Sequence, residues 1–496
     1  MKILFTHAYF LEEDAKEKEI MKPYVPLGIL YLSAWLEKHG YPNQLFDSTF
    51  SSFNTLKEYL MSFRPDAIGI YTNLMTKLNV LRLVQFIKAT PELSHTKVIL
   101  GGPEVRNHAQ PFLEHGADFI VIGEGEQTMQ ELVEYLDGKS ERPLDQIQGI
   151  AYLDSQKAFK QTAERAKLKD LDQLPIPNRK GINLQLYFDA WKGKHGSSAI
   201  SINTMRGCPY SCKWCSKAVY GQSYRRRSPE HVVNEIEDIQ RNYQVDTIWF
   251  VDDVFTVSHQ WLKRFDEVLR ERNVKISYEC ISRSDRMDEN VIALLKSSGC
   301  FRVWIGAESG SQKIIDKMDR RVDVIQVREM IRQTRKAGIQ AGTFIMVGYP
   351  DETEADIIET SRHLKESNPD YFTITVTYPI TGTGLYQEAE PEFFKLLPWE
   401  KRTDRDINFK RTYPRRYYDY AIRFLISELD AHKAFEKRDF LRYLRLKYRV
   451  LKARAGMLIC RLKGLNDPNT VKPSTEVPLA KPDRSKPASL KQVQQA

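Results

Sequence analysis

Short apolar runs alternate with amphipathic helical segments from the first residue to about residue 140, and the same alternation returns over residues 196–395. In the first stretch KILFTHA, NQLFDS, DAIGIYTN, KVILGGP and FIVIGEG read as strands. Between and after them lie the helical LGILYLSAWLEKHG, TLKEYLMSF, LNVLRLVQFIKAT, AQPFLEHG and QTMQELVEYL. Strands joined by crossover helices run parallel, so the expected fold is an α/β doubly wound sheet. Such sheets bind ligands outside the carboxyl ends of their strands, which here fall at 7–10, 47–50, 71–73, 101–104 and 123–126. Two of those loops carry glycines: Gly101 and Gly102 in KVILGGPEV, and Gly123 with Glu124 in FIVIGEGE. They are candidate cofactor-binding positions, because a glycine lets a ligand approach the backbone closely. No GxGxxG fingerprint is present, so tight strand–helix turns explain the same glycines.

The second stretch opens on the strand SAISINTM and runs directly into RGCPYSCKWCSKAVYG. Of six cysteines, Cys208, Cys212 and Cys215 fall within eight residues as CxxxCxxC, while Cys280, Cys300 and Cys460 are scattered. A secreted disulfide framework would distribute its pairs, whereas clustered thiols point to a metal or cluster. Thiolates are the usual ligands of iron–sulfur clusters. Three on one loop can hold three irons of a 4Fe–4S cubane and leave the fourth open to the amino and carboxylate groups of S-adenosylmethionine (SAM). One-electron cleavage of the sulfonium then yields a 5′-deoxyadenosyl radical, and the difficult chemistry belongs to the cofactor. A structural zinc site would want a fourth ligand, yet Cys280 stands 65 residues on without a companion.

Downstream, TIWFVDDVF, KISYECISRSD, FRVWIGAESG, AGTFIMVGYPDET and YFTITVTYPI read as further strands between helices. This spacing predicts a partial (β/α) barrel with its active site at the strands' carboxyl ends. Cys280 and Cys300 lie in or beside apolar strands and read as buried packing.

Several short patterns occur together in this order: PxGxxYLxxxL (Pro26, Gly28, Tyr31, Leu32, Leu36), GGP, GEGE, CxxxCxxC with Trp214 before its last cysteine, FxDDxF, IGxESG and GxPxET. In this the chain resembles radical SAM enzymes that carry a cobalamin-binding domain. The resemblance implies a 4Fe–4S cluster on Cys208, Cys212 and Cys215, SAM and cobalamin. It places Trp214 and Gly348 near adenine, Asp252 and Asp253 near the methionine amino group, Arg283 near its carboxylate and Glu308 near the ribose. For each charged residue the alternative is a barrel-top group satisfied by a neighbour. The DxHxxG motif that supplies a cobalt ligand in some corrinoid domains is missing, so no histidine from that motif is expected below the cobalt. His7 and His108 read as polar loop residues. With no cysteine before residue 208, a methylthiotransferase of the tRNA-modifying kind, which carries a second cysteine trio, does not match. The implied reaction is methylation of an unactivated carbon of a small or lipophilic substrate. An oxidative cyclase like the anaerobic magnesium-protoporphyrin monomethyl ester cyclase is the runner-up, and a non-catalytic corrinoid sensor a third reading. A flavodoxin or ferredoxin is the implied electron donor.

Around these two units the expected organisation is a 1–140 cobalamin-binding domain, a 141–195 connector, a 196–395 barrel, a 396–465 helical region and a disordered, Pro-, Ser- and Lys-rich 466–496 tail. The net charge of +9 is uneven: from residue 401 onward 24 Lys/Arg face 10 Asp/Glu, so the first 400 residues are mildly acidic. Residues 430–464 read as one long basic helix with Leu441, Leu444, Tyr448, Leu451, Ala455, Leu458 and Leu462 at helical spacing. Such a helix either lies on an anionic membrane surface or packs its apolar stripe on the barrel with a solvated basic face, the expectation adopted here. Nucleic acid is not expected, because no aromatic–basic platform is recognisable. No apolar run approaches a membrane span and the N-terminus lacks signal-peptide form, so the expected location is the cytoplasm.

Overall fold

The computed structural model describes residues 1–463; the expected tail, 466–496, lies outside them. The first sheet has seven strands: β1 (Ile3–Thr6), β2 (Gln44–Leu45), β3 (Ala67–Tyr71), β4 (Lys97–Gly101), β5 (Phe119–Val121), β6 (Ile150–Leu153) and β7 (Phe159–Gln161). Their order is β2-β1-β3-β4-β5-β6-β7. The first five pair in parallel, in the doubly wound order of flavodoxin-like sheets. β6 and β7 add antiparallel, so residues 150–161, which read from sequence as connector, extend this sheet. A hairpin needs no crossover helix, and without that helix its short strands leave little trace in the sequence pattern.

The second sheet contains β8 (Ala199–Ile202), β11 (Thr247–Phe250), β12 (Tyr278–Ser282), β13 (Cys300–Glu308), β14 (Gln340–Val347) and β15 (Tyr371–Val376). They lie in chain order and all pair in parallel, forming the expected partial barrel. Between β8 and β11 the two-residue strands β9 (Met205–Arg206) and β10 (Arg225–Arg226) form an antiparallel clip whose intervening loop holds the three cysteines. Helices are started by local chemistry. Ser228 accepts the His231 N–H ahead of Pro229–Asn242, and Thr353 with Asp356 closes a capping box at Glu354–Ser367. One apolar cluster runs from Leu30 and Trp35 through Tyr187 to Ile200, Val303 and Tyr417. The two sheets and the C-terminal helices therefore share a core, and their relative placement is built into the fold. Cys280 and Cys300 are buried in that cluster.

The C-terminal region departs from expectation twice. Instead of one helix over 430–464 there are two, Arg415–Glu436 and Phe440–Lys463, separated by a turn in which Arg438 adopts φ +58°. The predicted apolar stripe also faces outward. Leu446, Val450, Ala453 and Met457 are buried, whereas Leu441 is 82% and Leu444 63% exposed. The helix carries two apolar faces, and periodicity alone does not say which of them meets the preceding helix. Among the described residues no helix is long and apolar enough to cross a membrane.

Candidate active site

The cysteine loop leaves β9 and returns at β10, and it lies over the carboxyl end of the barrel sheet. Cys212 is buried, Cys208 half-buried and Cys215 exposed. Two guanidinium groups meet the Cys212 sulfur: Arg283 Nη1 at 3.6 Å and Arg320 Nη1 at 4.0 Å. Arg283 is held by Asp285 at 2.9 Å, by the Arg320 carbonyl at 2.7 Å and by the Tyr210 ring, 3.8 Å beneath it. Although the Cys215 side chain is open to solvent, the protein crowded around its recess raises its thiol, with the charge of Asp253 and the other two cysteines adding to it. The three sulfurs and Asp253 thus share one electrostatic environment. Among the described residues no three His, Cys, Asp or Glu side chains are gathered so as to hold a single metal ion. A cubane asks for a different arrangement, one thiolate on each of three irons. Three thiols on one loop, with cationic donors to a sulfur, suit it.

The other expected barrel residues divide into committed and uncommitted groups. Asp252 is committed: its carboxylate accepts from Thr204 N at 2.8 Å, Met205 N at 3.1 Å and the Thr204 hydroxyl. It fastens the end of β11 to the cysteine-loop stem. Asp253 makes no such bonds and reaches solvent, while burial in its recess and then the Asp252 charge raise its carboxyl. Glu308 is buried at the end of β13 with φ +66°, where the pairing to β14 slips. A non-glycine residue in that conformation stores strain that the surrounding structure must hold. Burial raises its carboxyl and Arg320, 3.7 Å away, opposes the rise. Gly348 has φ +79° and donates its N–H to Glu352 Oε2 at 2.6 Å. Trp214 packs on Ile314, Met318, Met346, Tyr349 and Leu385, with the Arg320 guanidinium 5.6 Å from its ring.

Arg320 escaped sequence reasoning. It also donates to the Gly306 carbonyl at 2.6 Å and so links β13, Glu308, Trp214 and Cys212. Its only signal was position, an arginine just beyond a short helix, and surface arginines show the same.

The first sheet turns its carboxyl edge toward this loop. Gly102 adopts φ +107°, and a Cβ there would lie 2.5 Å from the Thr72 carbonyl, so backbone packing alone demands glycine. At Gly123, φ +87°, the nearest atoms to an added Cβ are Arg106 Nη2 and the Val219 carbonyl, both at 3.8 Å. Gly101 is similarly open. Glu124 is engaged across the domains, 2.5 Å from Arg225 and 3.4 Å from Arg206. Glu126 pairs with Arg206 at 3.1 Å; burial pushes its carboxyl up, but Arg206 outweighs that and holds it below its ordinary value. The β9–β10 clip thus docks the cysteine loop on the first sheet. Arg106 Nε reaches the Ala218 carbonyl at 2.6 Å and Asn107 the Thr381 carbonyl at 2.8 Å. Between them lies a cavity of about 610 Å³ including its open mouth, lined by Arg106, Asn107, Cys212, Cys215, Lys217 and Thr383. His7 is buried against Asp47 at 2.9 Å, and His108 stacks near Trp399; neither lines this cavity.

Residues 202–364 match the radical SAM superfamily, and residues 19–133 match the B12 binding domain. The chain belongs to the cobalamin-binding radical SAM family. This enzyme is 28% identical over 389 residues to an uncharacterized methyltransferase of Pyrococcus horikoshii, covering 77% of this chain and 82% of the relative. It is 26% identical over 403 residues to the anaerobic magnesium-protoporphyrin IX monomethyl ester cyclase of Rubrivivax gelatinosus, covering 78% and 70%. Among solved structures it shares its fold with the radical SAM methyltransferase TsrM of Kitasatospora setae, solved with cobalamin and a [4Fe-4S] cluster. There the TM-score is 0.66 at 18% identity, over 79% of this chain and 74% of that one.

Proposed function

We propose that this cobalamin-dependent radical SAM enzyme methylates an unactivated carbon of a small or lipophilic substrate. The observation that carries the reading is the cavity shared by Cys212 and Cys215 on one side and the first sheet's Arg106 and Asn107 on the other. When bound, the cluster with SAM supplies a carbon-centred radical that abstracts hydrogen, and cobalamin supplies a methyl group. The chain's residues hold and orient these groups. Cys208, Cys212 and Cys215 are the cluster ligands in this reading. Arg283 and Arg320 place positive charge on the Cys212 sulfur, and such donors tune a cluster's reduction potential. Asp253, the uncommitted carboxylate, would meet the methionine amino group of SAM, with Asp252 fastening the end of β11 to the cysteine-loop stem. Glu308 would accept from ribose hydroxyls, and Trp214 and Gly348 would border adenine. Backbone at Gly101 and Gly123 would leave an open edge for a corrin, with Glu124 fixing that edge to the barrel, while Gly102 is accounted for by its packing on Thr72. The half-buried Lys213 and Lys217 beside Cys215, the first of them 3.5 Å from Glu388, suit an acidic electron donor such as flavodoxin or ferredoxin.

The test is anaerobic. The reconstituted full chain, mixed with cobalamin and desalted, is expected to retain a corrin band beside the iron–sulfur absorbance and, given SAM and dithionite, to form 5′-deoxyadenosine. Retained iron with no retained corrin would sink the methyl-transfer reading. The Rubrivivax gelatinosus relative favours oxidative cyclisation as the second reading. Product mass separates them, since only methylation adds a carbon.

A further inference from the structure

The outer face of helix Phe440–Lys463 is not needed by the fold. Its inner face (Leu446, Val450, Ala453, Met457) packs on the molecule, and on the opposite side Leu441, Leu444, Tyr448, Leu451, Leu458 and Leu462 are exposed. At 3.6 residues per turn these side chains share an arc of roughly 100°. Arg442, Arg445, Arg449 and Lys452 line one margin of the arc, and Lys447, Arg454 and Arg461 the other. The helix contains no Asp or Glu. A long apolar stripe between two basic margins is the pattern of a helix lying in an anionic lipid interface, with its stripe in the acyl boundary and its cations at the headgroups. Scattered apolar surface residues need no explanation, but a continuous stripe about 32 Å long does.

We infer that this face docks the enzyme on an anionic lipid surface. Charge decides the occupant: the margins carry seven cations and no anion of the helix itself. Lys447 and Arg461 are paired with Glu428 and Glu354, which leaves Arg442, Arg445, Arg449, Lys452 and Arg454, so a second copy of the same face would meet like charge. Two contacts fix the course of the helix. Just before the turn that starts it, Glu436 of the preceding helix meets Asn368 at 3.1 Å near the amino end of β15, and near its own far end Arg461 meets Glu354 at 2.8 Å just beyond the carboxyl end of β14. The stripe therefore runs the height of the barrel and finishes at the rim on the active-site side. A lipophilic substrate leaving the bilayer reaches the site from that rim. The docking itself depends on no step of the methyl-transfer reading.

Cosedimentation tests it with the full chain and no added cofactor. At low salt the protein is expected to pellet with vesicles of phosphatidylglycerol and phosphatidylcholine and to remain in the supernatant with phosphatidylcholine alone. Leu444→Glu/Leu451→Glu and Arg445→Glu/Arg449→Glu change only exposed side chains, so both proteins fold, and each is expected to lose at least tenfold in vesicle affinity. The basic residues beyond 463 are intact in both variants, which assigns any loss to the helix. No binding to anionic vesicles, or binding unaltered in both variants, overturns the proposal. So does a dimer in sedimentation velocity that Leu444→Glu/Leu451→Glu dissolves, because a second copy would then be the occupant.

Discussion

The two α/β sheets turn the carboxyl edges of their parallel strands toward each other, and those edges are furnished in opposite ways. Above the barrel sheet the edge is built of side chains. Cys212 sits under two guanidiniums, Glu308 is held in a left-handed conformation, and Asp252 is tied to the loop it supports. Above the first sheet the central loops withhold side chains at Gly101, Gly102 and Gly123, and the nearest carboxylates, Glu124 and Glu126, reach across to Arg206 and Arg225. A small cluster with an open coordination position needs ligands and charge at defined points. A wide, flat cofactor needs clearance. The two edges are complementary, and the β9–β10 clip keeps them in register.

The comparison can be broken by separating the two cofactors. Cys212→Ala removes the buried thiol proposed as a cluster ligand and is expected to bring bound iron well below the wild-type content and 5′-deoxyadenosine formation to background, while corrin retention after desalting persists. Iron analysis and the visible spectrum read both. If corrin is lost together with iron, the edges are not independent sites. Gly101→Val should do the reverse. It fills the open space beside Val121 without backbone strain and is expected to weaken corrin retention at least about tenfold, or about 1.4 kcal/mol, with iron content unchanged. An unaltered corrin affinity would mean that the first sheet seats the cofactor elsewhere.

The smallest effect sharpens the contrast through pH. Glu352 is fully buried; one oxygen accepts the Gly348 N–H and the other has no hydrogen-bond partner among the described residues. Burial pushes its carboxyl up to about 8, so the folded state favours the neutral acid. That stability is fully present below its ordinary value near 4.5 and is lost as pH rises through about 8. Melting temperature is expected to fall from pH 5 to pH 9 by a few degrees more in the wild type than in Glu352→Gln. Parallel curves would show that Glu352 is not the titrating group.

How much of this was legible in the sequence depends on the range of the signal. CxxxCxxC, the glycine loops and the strand–helix alternation are local patterns, and each led to the loop or strand where the structure has it. Glu124 reads from sequence as a cofactor contact, and the structure adds an interdomain ion pair that no local pattern announces, because its partners Arg206 and Arg225 lie about 80 and about 100 residues downstream. Arg320 was missed for the same reason: the sulfur and carboxylate it approaches are brought to it only when β13 and the cysteine loop meet. The C-terminal helix shows the limit most plainly, since both of its faces have helical apolar spacing.

Taken alone, the sequence determined the two α/β units, the helical C-terminal region and the three thiols on one loop, since periodicity and short spacings act over a few residues and survive any rearrangement of the whole. Tertiary structure decided which carboxylates are free and which are fasteners, which arginines reach a sulfur, and which face of helix Phe440–Lys463 is left to solvent. Those outcomes depend on neighbours far away in the chain, and burial and charge pairing are properties of the packed neighbourhood.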